Sequence, residues 1–306
     1  MLNRFFIVLI YIILFLSCES DSSDLNQNDD LVESEILWDD YVIFKTGNIP
    51  LLIIAPHGGD LKPQWLDDRN CENSKIVQDQ YTLEIALQIE QELNTLGFQP
   101  FLVLSKMHRI KIDLNRSLET ALCRDKSAMP LWVVFHNQID IFRNEISSSY
   151  GRGLVIDLHG QSHPEQRIEL GYLLNGQMLR DFEANSTDYS NQASIKSLIS
   201  NNPQQVNFEQ LIIGDNSLGT LLEFKGFDAV PSNSDQAPLE HQLFFSGGHN
   251  TINYGSRDSG SIDAIQVELN REGLRSEIED RERFASVFSN ILVDFLTIHY
   301  ADALNP

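Results

Sequence analysis

Residues 154–160 have the sequence Leu-Val-Ile-Asp-Leu-His-Gly, an apolar run that lies between two glycines and predicts a buried β-strand. Because side chains alternate between the two faces of a strand, Asp157 and His159 share one face and Leu158 lies on the other. A carboxylate and an imidazole are therefore expected together at the carboxyl end of this strand. That is the end at which open α/β sheets bind their ligands.

Two further segments place polar residues at the end of an apolar run. Residues 51–59, Leu-Leu-Ile-Ile-Ala-Pro-His-Gly-Gly, lead to His57 and a pair of glycines. Residues 264–270 carry Gln266 and Glu268 on one face and apolar side chains on the other. Imidazoles and a carboxylate from separate strands are the donor types that a hydrolytic metal site requires.

Predicted strands alternate with predicted helices along the chain. Apolar residues recur at helical spacing over residues 79–96, 129–148 and 277–300. This alternation predicts an α/β fold with a mixed, mostly parallel sheet and helices on both faces. Residues 176–240 are polar with short helical segments at 206–213 and 217–224, and we interpret them as an elaboration near the site, with a lid as one form it could take.

The start of the chain has the pattern of a targeting segment. Residues 1–17 are predicted to be a signal peptide, because Arg4 precedes an apolar run that is too short to cross a bilayer comfortably. Leu-Ser-Cys at 16–18 resembles a bacterial lipoprotein cleavage box, which implies lipidation of Cys18; a plain secretory signal is the alternative. Residues 18–40 are acidic and polar and are expected to form a flexible tether before a single α/β domain at 41–306.

These features predict a protein held outside the cytoplasm by a lipid anchor in a bacterial membrane, most simply the outer membrane. Acidic residues directly after Cys18 resemble the surface-export signal of some Gram-negative lipoproteins. The net charge of −22 argues against nucleic acid or an anionic membrane surface as a partner. Contact with a membrane is therefore expected through the lipid anchor alone.

The two cysteines inside the predicted domain, Cys71 and Cys123, lack the paired spacing of a cysteine-based zinc site. In an exported protein they could form a disulfide. Two free thiols fit the sequence about equally well, so both interpretations remain open.

His57 and His159 would supply two ligands of a tetrahedral zinc site, with Asp157 as the acceptor that orients a ligating imidazole. The third ligand should be a carboxylate, and two acids are candidates. Asp60 follows His57 by the three-residue spacing of HxxE zinc sites. Asp79 begins the predicted helix at 79–96, where its alternative role is that of an N-cap.

Residues 107–116 concentrate cations in an otherwise acidic chain. The guanidinium groups of Arg109 and Arg116 match carboxylates in shape, so the segment predicts an anion clamp for a substrate. A solvated charged surface is the alternative. His163 and His249 are further candidates for the wall of the pocket, whereas packing or polarity explains the remaining histidines.

The motifs resemble the N-formylglutamate amidohydrolase family, which is related in fold to the zinc carboxypeptidases. They occur in the family's order and span residues 55–271, nearly the whole predicted domain. In chain order they are His-Gly-Gly at 57–59, Asp-x-Tyr-Thr at 79–82, Asp-Leu-Asn-Arg at 113–116, Asp-Leu-His-Gly at 157–160 and Gln-Val-Glu-Leu-Asn-Arg at 266–271. Each motif is weak alone, but together they are specific.

The resemblance implies a zinc carboxypeptidase-like fold and a Zn²⁺ cofactor. His57 and His159 are similar to the family's zinc histidines. Asp79 is similar to its acid at the start of the following helix, which favours Asp79 over Asp60 as the third ligand. Glu268 resembles the catalytic glutamate that acts as general base.

The resemblance also implies residues that bind the substrate. Asn115 and Arg116 are similar to the pair that binds the substrate carboxylate. Arg109 resembles an arginine that holds the substrate or the oxyanion. Residues 246–250, Ser-Gly-Gly-His-Asn, match a glycine-rich loop near the pocket.

The sequence therefore predicts a zinc-dependent amidohydrolase that cleaves the amide bond of an N-acyl amino acid, a small-molecule substrate. A carboxypeptidase or peptidoglycan amidase that acts on peptides is the alternative, and the extracytoplasmic location favours it. A catalytically inactive surface lipoprotein that only binds its ligand is a third hypothesis. The presence of His57, His159 and Glu268 argues against that third hypothesis.

Overall fold

The strand predicted at residues 154–160 lies in the middle of a sheet that has seven strands within the described residues. The structure, a computed structural model, describes residues 37–123, 125–183 and 188–304. The strands are β1 (Val42–Lys45), β2 (Leu51–Ala55), β3 (Phe101–Ser105), β4 (Gly153–Gly160), β5 (Ile168–Gly171), β6 (Ala229–Val230) and β7 (Ile262–Leu269).

The sheet has the order β1-β3-β2-β4-β7-β5-β6. The β1–β3 and β5–β7 pairs are antiparallel, and the remaining neighbouring pairs are parallel. The predicted mixed, mostly parallel sheet is thus confirmed. Its central strands β2, β4 and β7 are parallel neighbours, so their carboxyl ends lie together at one end of the sheet.

Helices cover both faces of the sheet, as predicted. The helices are α1 (Thr82–Thr95), α2 (Leu118–Leu122), α3 (Met129–Tyr150), α4 (Gly176–Glu183), α5 (Lys196–Asn201), α6 (Phe208–Ile213), α7 (Leu218–Phe224), α8 (His249–Tyr254), α9 (Ile278–His299) and α10 (Ala301–Leu304). Short 3₁₀ helices span Trp38–Tyr41 and Ser190–Gln192. Helices α1 and α9 pack on one face, and α3 packs on the other.

Alternation along the strands divides the core into two parts. On β2, Leu51 and Ile53 pack with α1 and α9, whereas Leu52 and Ile54 pack with α3. Strand β4 follows the same rule, with Val155 on the α3 side of the sheet. Asp157 and His159 therefore extend from the α3 side at the carboxyl end of β4.

Two expectations about the middle of the chain need correction. Helix α1 begins at Thr82 rather than at residue 79, because Tyr81 before it has a left-handed backbone (φ 70°); Asp79 is therefore not the N-cap. The region 176–240 is not a lid in its described part. Leu198, Leu211 and Leu222 from its helices are buried in the same core as α9.

Predictions about the N-terminal segment lie outside the described residues. These are the signal peptide at 1–17, the lipidated Cys18 and the tether as far as residue 36. The last residues of the predicted tether are structured instead, because Trp38–Tyr41 form a 3₁₀ helix and Trp38 packs against the core. Where the structure does describe the chain, no helix combines the length and the apolar composition needed to cross a membrane.

Cys71 and Cys123 form a disulfide, with their Cα atoms 5.5 Å apart and a sequence separation of 52. Cys71 lies in the connection between β2 and α1, and Cys123 follows α2 directly. The same connection contains His57 and Asp79. The crosslink therefore restrains the segment that presents both of these side chains.

We expect the Cys71→Ser/Cys123→Ser double variant to unfold more readily than the wild-type protein. Loss of a crosslink that closes a loop of this length should lower the free energy of unfolding by about 4 kcal/mol. Urea unfolding followed by tryptophan fluorescence measures the difference. A reductant should shift the wild-type curve and leave the double variant unchanged. Coincident curves for the two proteins without reductant would contradict the expectation.

Candidate metal centre

His57 and His159 come together at the carboxyl ends of the neighbouring strands β2 and β4. Their ring centroids lie 4.9 Å apart, and both side chains are buried. His57 follows directly on the end of β2, while His159 is the penultimate residue of β4. The parallel pairing of the two strands therefore brings the imidazoles to one edge of the sheet.

Asp79 completes a group of three metal-ligand side chains. Its Oδ2 atom lies 3.3 Å from Nδ1 of His57 and 2.9 Å from Nδ1 of His159. The three donor atoms lie within 4.8 Å of one another, and no other such group occurs among the described residues. The alternative candidate Asp60 is exposed and accepts a hydrogen bond from Gln78 instead (2.7 Å).

A second carboxylate holds the far nitrogen of each imidazole. Nε2 of His57 lies 2.7 Å from Oδ1 of Asp113, and Nε2 of His159 lies 3.1 Å from Oδ1 of Asp157. These contacts leave Nδ1 of both rings directed at Asp79. Asp157 has the orienting position that the sequence predicted, whereas Asp113 was not assigned a role. The signal was available, because a ligating histidine usually has such an acceptor and Asp113 begins one of the motifs.

The donor set fits a divalent metal such as Zn²⁺. Two neutral imidazoles and one carboxylate are the ligands of many catalytic zinc sites, which keep a further position open. Acceptors on the outer ring nitrogens fix the tautomer that places a lone pair toward the metal. His57, Asp79 and His159 are thus the residues that could hold the ion.

The charged groups of this cluster shift one another's pKa values. Burial would raise the pKa of Asp79, but the charge of His57 and hydrogen bonds from both imidazoles hold that pKa well below its usual range. Burial would lower the pKa of His159, but the carboxylates of Asp157 and Asp79 hold it well above its usual value. The pKa of Asp113 is also lowered, since His57 and Arg109 outweigh the effect of its burial.

Arg109 binds the acids on both sides of His57. Its Nε and one terminal nitrogen donate to Oδ2 of Asp113, at 3.1 and 3.0 Å. The other terminal nitrogen lies 3.5 Å from Oδ1 of Asp79. The guanidinium therefore neutralises the two carboxylates and also forms part of the cavity wall beside them.

Asn115 and Arg116 differ in their exposure to solvent. Asn115 is buried; its Oδ1 accepts from the Asn250 backbone at 2.8 Å and its Nδ2 lies 3.2 Å from Nε2 of His159. Gly248 touches it so closely that a Cβ there would lie 2.6 Å from Nδ2 of Asn115. The side chain of Arg116 is 42% exposed, with Nε 4.0 Å from Asp113.

Glu268 of β7 stands beside His159 in the parallel register of β4 and β7. Its Oε1 accepts a hydrogen bond from Gln266 at 2.8 Å. Burial raises the pKa of Glu268 to about 8; His159 opposes this rise, and the carboxylates of Asp79 and Glu169 add to it.

Seven of the side chains that the sequence suggested for the site line one cavity of about 210 Å³. They are His57, Asp79, Arg109, Asn115, Arg116, His159 and Glu268. The glycine-rich loop contributes Gly247 and Gly248 to the same cavity. His163 lines an adjoining groove, whereas His249 is not among the residues that line either space.

No protein-family model matches the chain, and no curated protein matches its sequence. Solved structures do resemble it. The gene product Atu2144 from Agrobacterium tumefaciens has a TM-score of 0.51 at 14% identity, over 84% of this chain and 94% of that one. An N-formylglutamate amidohydrolase from Ralstonia eutropha JMP134 has a TM-score of 0.48 at 12% identity, over 86% and 97%.

An N-acetylmuramyl-L-alanine amidase from Mycobacterium smegmatis has a lower TM-score of 0.35 at 12% identity, over 80% of this chain and 96% of that one. At such identities the likeness concerns the fold alone. The likeness to Atu2144 agrees with the predicted α/β fold, a mixed, mostly parallel sheet with helices on both faces.

We expect Asp79→Ala to remove a metal site that Asp60→Ala leaves intact. After treatment with a chelator and reloading with Zn²⁺, the wild-type chain should retain about one ion. It should also melt at a higher temperature than Asp79→Ala, because a ligand that binds only the folded state stabilises it. Mass spectrometry of the metal content and a thermal melt are the two measurements. Zinc retained by Asp79→Ala but lost from Asp60→Ala would reverse the assignment of the third ligand.

Proposed function

We propose that this protein is a zinc-dependent amidohydrolase that cleaves the amide bond of an N-acyl amino acid. One observation carries the proposal: His57, Asp79 and His159 converge within 4.8 Å, and Glu268 lies beside His159 on the next strand. Two imidazoles and a carboxylate, with a further acid in the same cavity, are the parts that hydrolysis assisted by a metal requires.

A bound Zn²⁺ would lower the pKa of a water molecule and polarise the scissile carbonyl. Glu268 is the acid of the cavity outside the group of three ligands. It accepts the proton of the attacking water as the new C–O bond forms, and returns it to the nitrogen as the C–N bond breaks. The products are a carboxylic acid and a free amine.

Cationic side chains of the cavity bind the substrate in this scheme. Arg116 is half-exposed and offers a planar fork that suits the carboxylate of an N-acyl amino acid, with Asn115 beside it. Arg109 is fixed by Asp113 and Asp79 and stabilises the negative charge that develops on the carbonyl oxygen.

Cleavage of peptides, by a carboxypeptidase or a peptidoglycan amidase, is the second candidate function. A groove of about 670 Å³ adjoins the metal cavity and favours it, because one N-acyl amino acid does not need such a space. Release of free C-terminal amino acids from peptides would favour the carboxypeptidase.

The test is hydrolysis of formyl-, acetyl- and peptidyl-amino acids by the zinc-loaded full chain. Glu268→Gln should reduce kcat about 10²–10⁴-fold, since the amide cannot act as general base. The exposed acid Glu277 provides a matched control, and Glu277→Gln should retain full activity. A chelator should abolish the activity and added Zn²⁺ should restore it. Hydrolysis that persists unchanged in Glu268→Gln would overturn the proposal.

We also propose that the chain is anchored outside the cytoplasm through a lipid on Cys18. The lipoprotein-like box at 16–18 supports this proposal. Cys18→Ser should move the protein from the membrane fraction to the soluble fraction of the cell envelope, as measured by immunoblotting after fractionation. An unchanged distribution would contradict the anchor.

A further inference from the structure

The groove of about 670 Å³ is continuous with the candidate metal centre. Asp79, Arg109, Gly160 and Phe245 line both the groove and the smaller metal cavity. A substrate cleaved at the metal can therefore extend into the groove. Nothing in the proposed cleavage of a single N-acyl amino acid uses this second space.

The charge of the groove is opposite to the charge of the chain. The whole protein has 44 acidic and 22 basic residues, yet Asp79 is the one acid among the described residues that line the groove. Four cations line it with this acid: Lys75, Arg109, Arg271 and Arg275. The groove thus concentrates positive charge where the composition would supply negative charge.

Two of the four cations are already occupied. Arg109 binds Asp113, and the buried Arg275 donates to the backbone carbonyls of Leu269, Gln80 and Gln161. Lys75 and Arg271 are exposed, and their side chains make no ion pair or hydrogen bond within the described part of the chain. These two charges remain available to an anionic ligand.

His163 gives the same groove a fixed polar contact. Its Nδ1 lies 2.8 Å from Oε1 of the fully buried Glu169, and its ring stacks on Phe245 with the centroids 4.6 Å apart. The other carboxylate oxygen of Glu169 accepts from the backbone of Phe245 at 2.7 Å. One buried acid therefore binds the ring of His163 and the backbone of Phe245. The remaining ring nitrogen of His163, Nε2, has no partner among the described residues.

We propose that this groove binds an acidic peptide segment of the substrate, so that an extended acidic substrate binds more tightly than an uncharged one of the same length. The proposal rests on the proposed function for the cleavage step. Lys75 and Arg271 pair with substrate carboxylates away from the cleaved amide. His163 contacts the peptide backbone through Nε2, and Phe245 supplies an apolar wall.

Binding can be tested apart from cleavage. In the full-length Glu268→Gln variant, calorimetric titration compares acetyl-tetraglutamate with acetyl-tetraglutamine, an uncharged peptide of the same length and nearly the same shape. We expect the acidic peptide to bind about tenfold more tightly at low ionic strength, since two exposed ion pairs contribute, and the difference should shrink as salt is added.

Variants of the groove assign the effect to particular side chains. Lys75→Ala and Arg271→Ala, each added to Glu268→Gln, should weaken binding of the acidic peptide about threefold to fivefold and leave the neutral peptide unchanged. His163→Gln should weaken both peptides. Lys225→Ala removes an exposed cation that does not line the groove, and it should change neither.

Two results would overturn the inference: equal affinities for the two peptides, or groove variants that behave like Lys225→Ala. Failure of the proposed function looks different. If the acidic peptide binds as expected but the zinc-loaded wild-type protein cleaves nothing, the groove assignment stands and the hydrolase assignment fails. If the zinc-loaded wild-type protein hydrolyses acetylglutamate but the two peptides bind equally, the hydrolase assignment stands and the groove assignment fails.

Discussion

The structure of the site depends on a single buried carboxylate, Asp79, between two imidazoles. A desolvated carboxylate is costly unless it is paired and hydrogen-bonded. Oδ2 of Asp79 meets both rings and the Gly160 backbone, while Oδ1 faces Arg109. To satisfy this one group, the ends of β2 and β4 and the segment before α1 must all meet at the same point.

Asp113, a second acid, adds further contacts around His57. Asp113 binds the far nitrogen of His57, accepts from the Asn115 backbone at 3.1 Å, and holds Arg109. The motif at 113–116 thus supplies an orienting acceptor as well as two side chains that line the cavity, Asn115 and Arg116.

Local patterns and motif order predicted the sheet, the helices on both faces and seven of the side chains that line the cavity. These patterns did not predict contacts between residues that are far apart in the sequence. The Cys71–Cys123 pairing does not follow from the sequence, because it depends on the path of the chain across a sequence separation of 52. Asp113 meets His57 across 56 positions, and the groove collects its cations from residues 75, 109, 271 and 275. The early start assigned to α1 has a local cause, since no sequence signal marks the left-handed Tyr81.

The reversed direction of β5 has a consequence for the route of the chain. Strand β7 lies between β4 and β5 in the sheet, and the antiparallel pairing places Glu169 opposite Glu268. Residues 161–167 therefore leave one strand and enter the next at the same rim, and they arch over the end of β7 without crossing a face of the sheet. No crossover helix is required there. The arch is thus the natural position for changes of length that would reshape the mouth of the site and leave the sheet untouched.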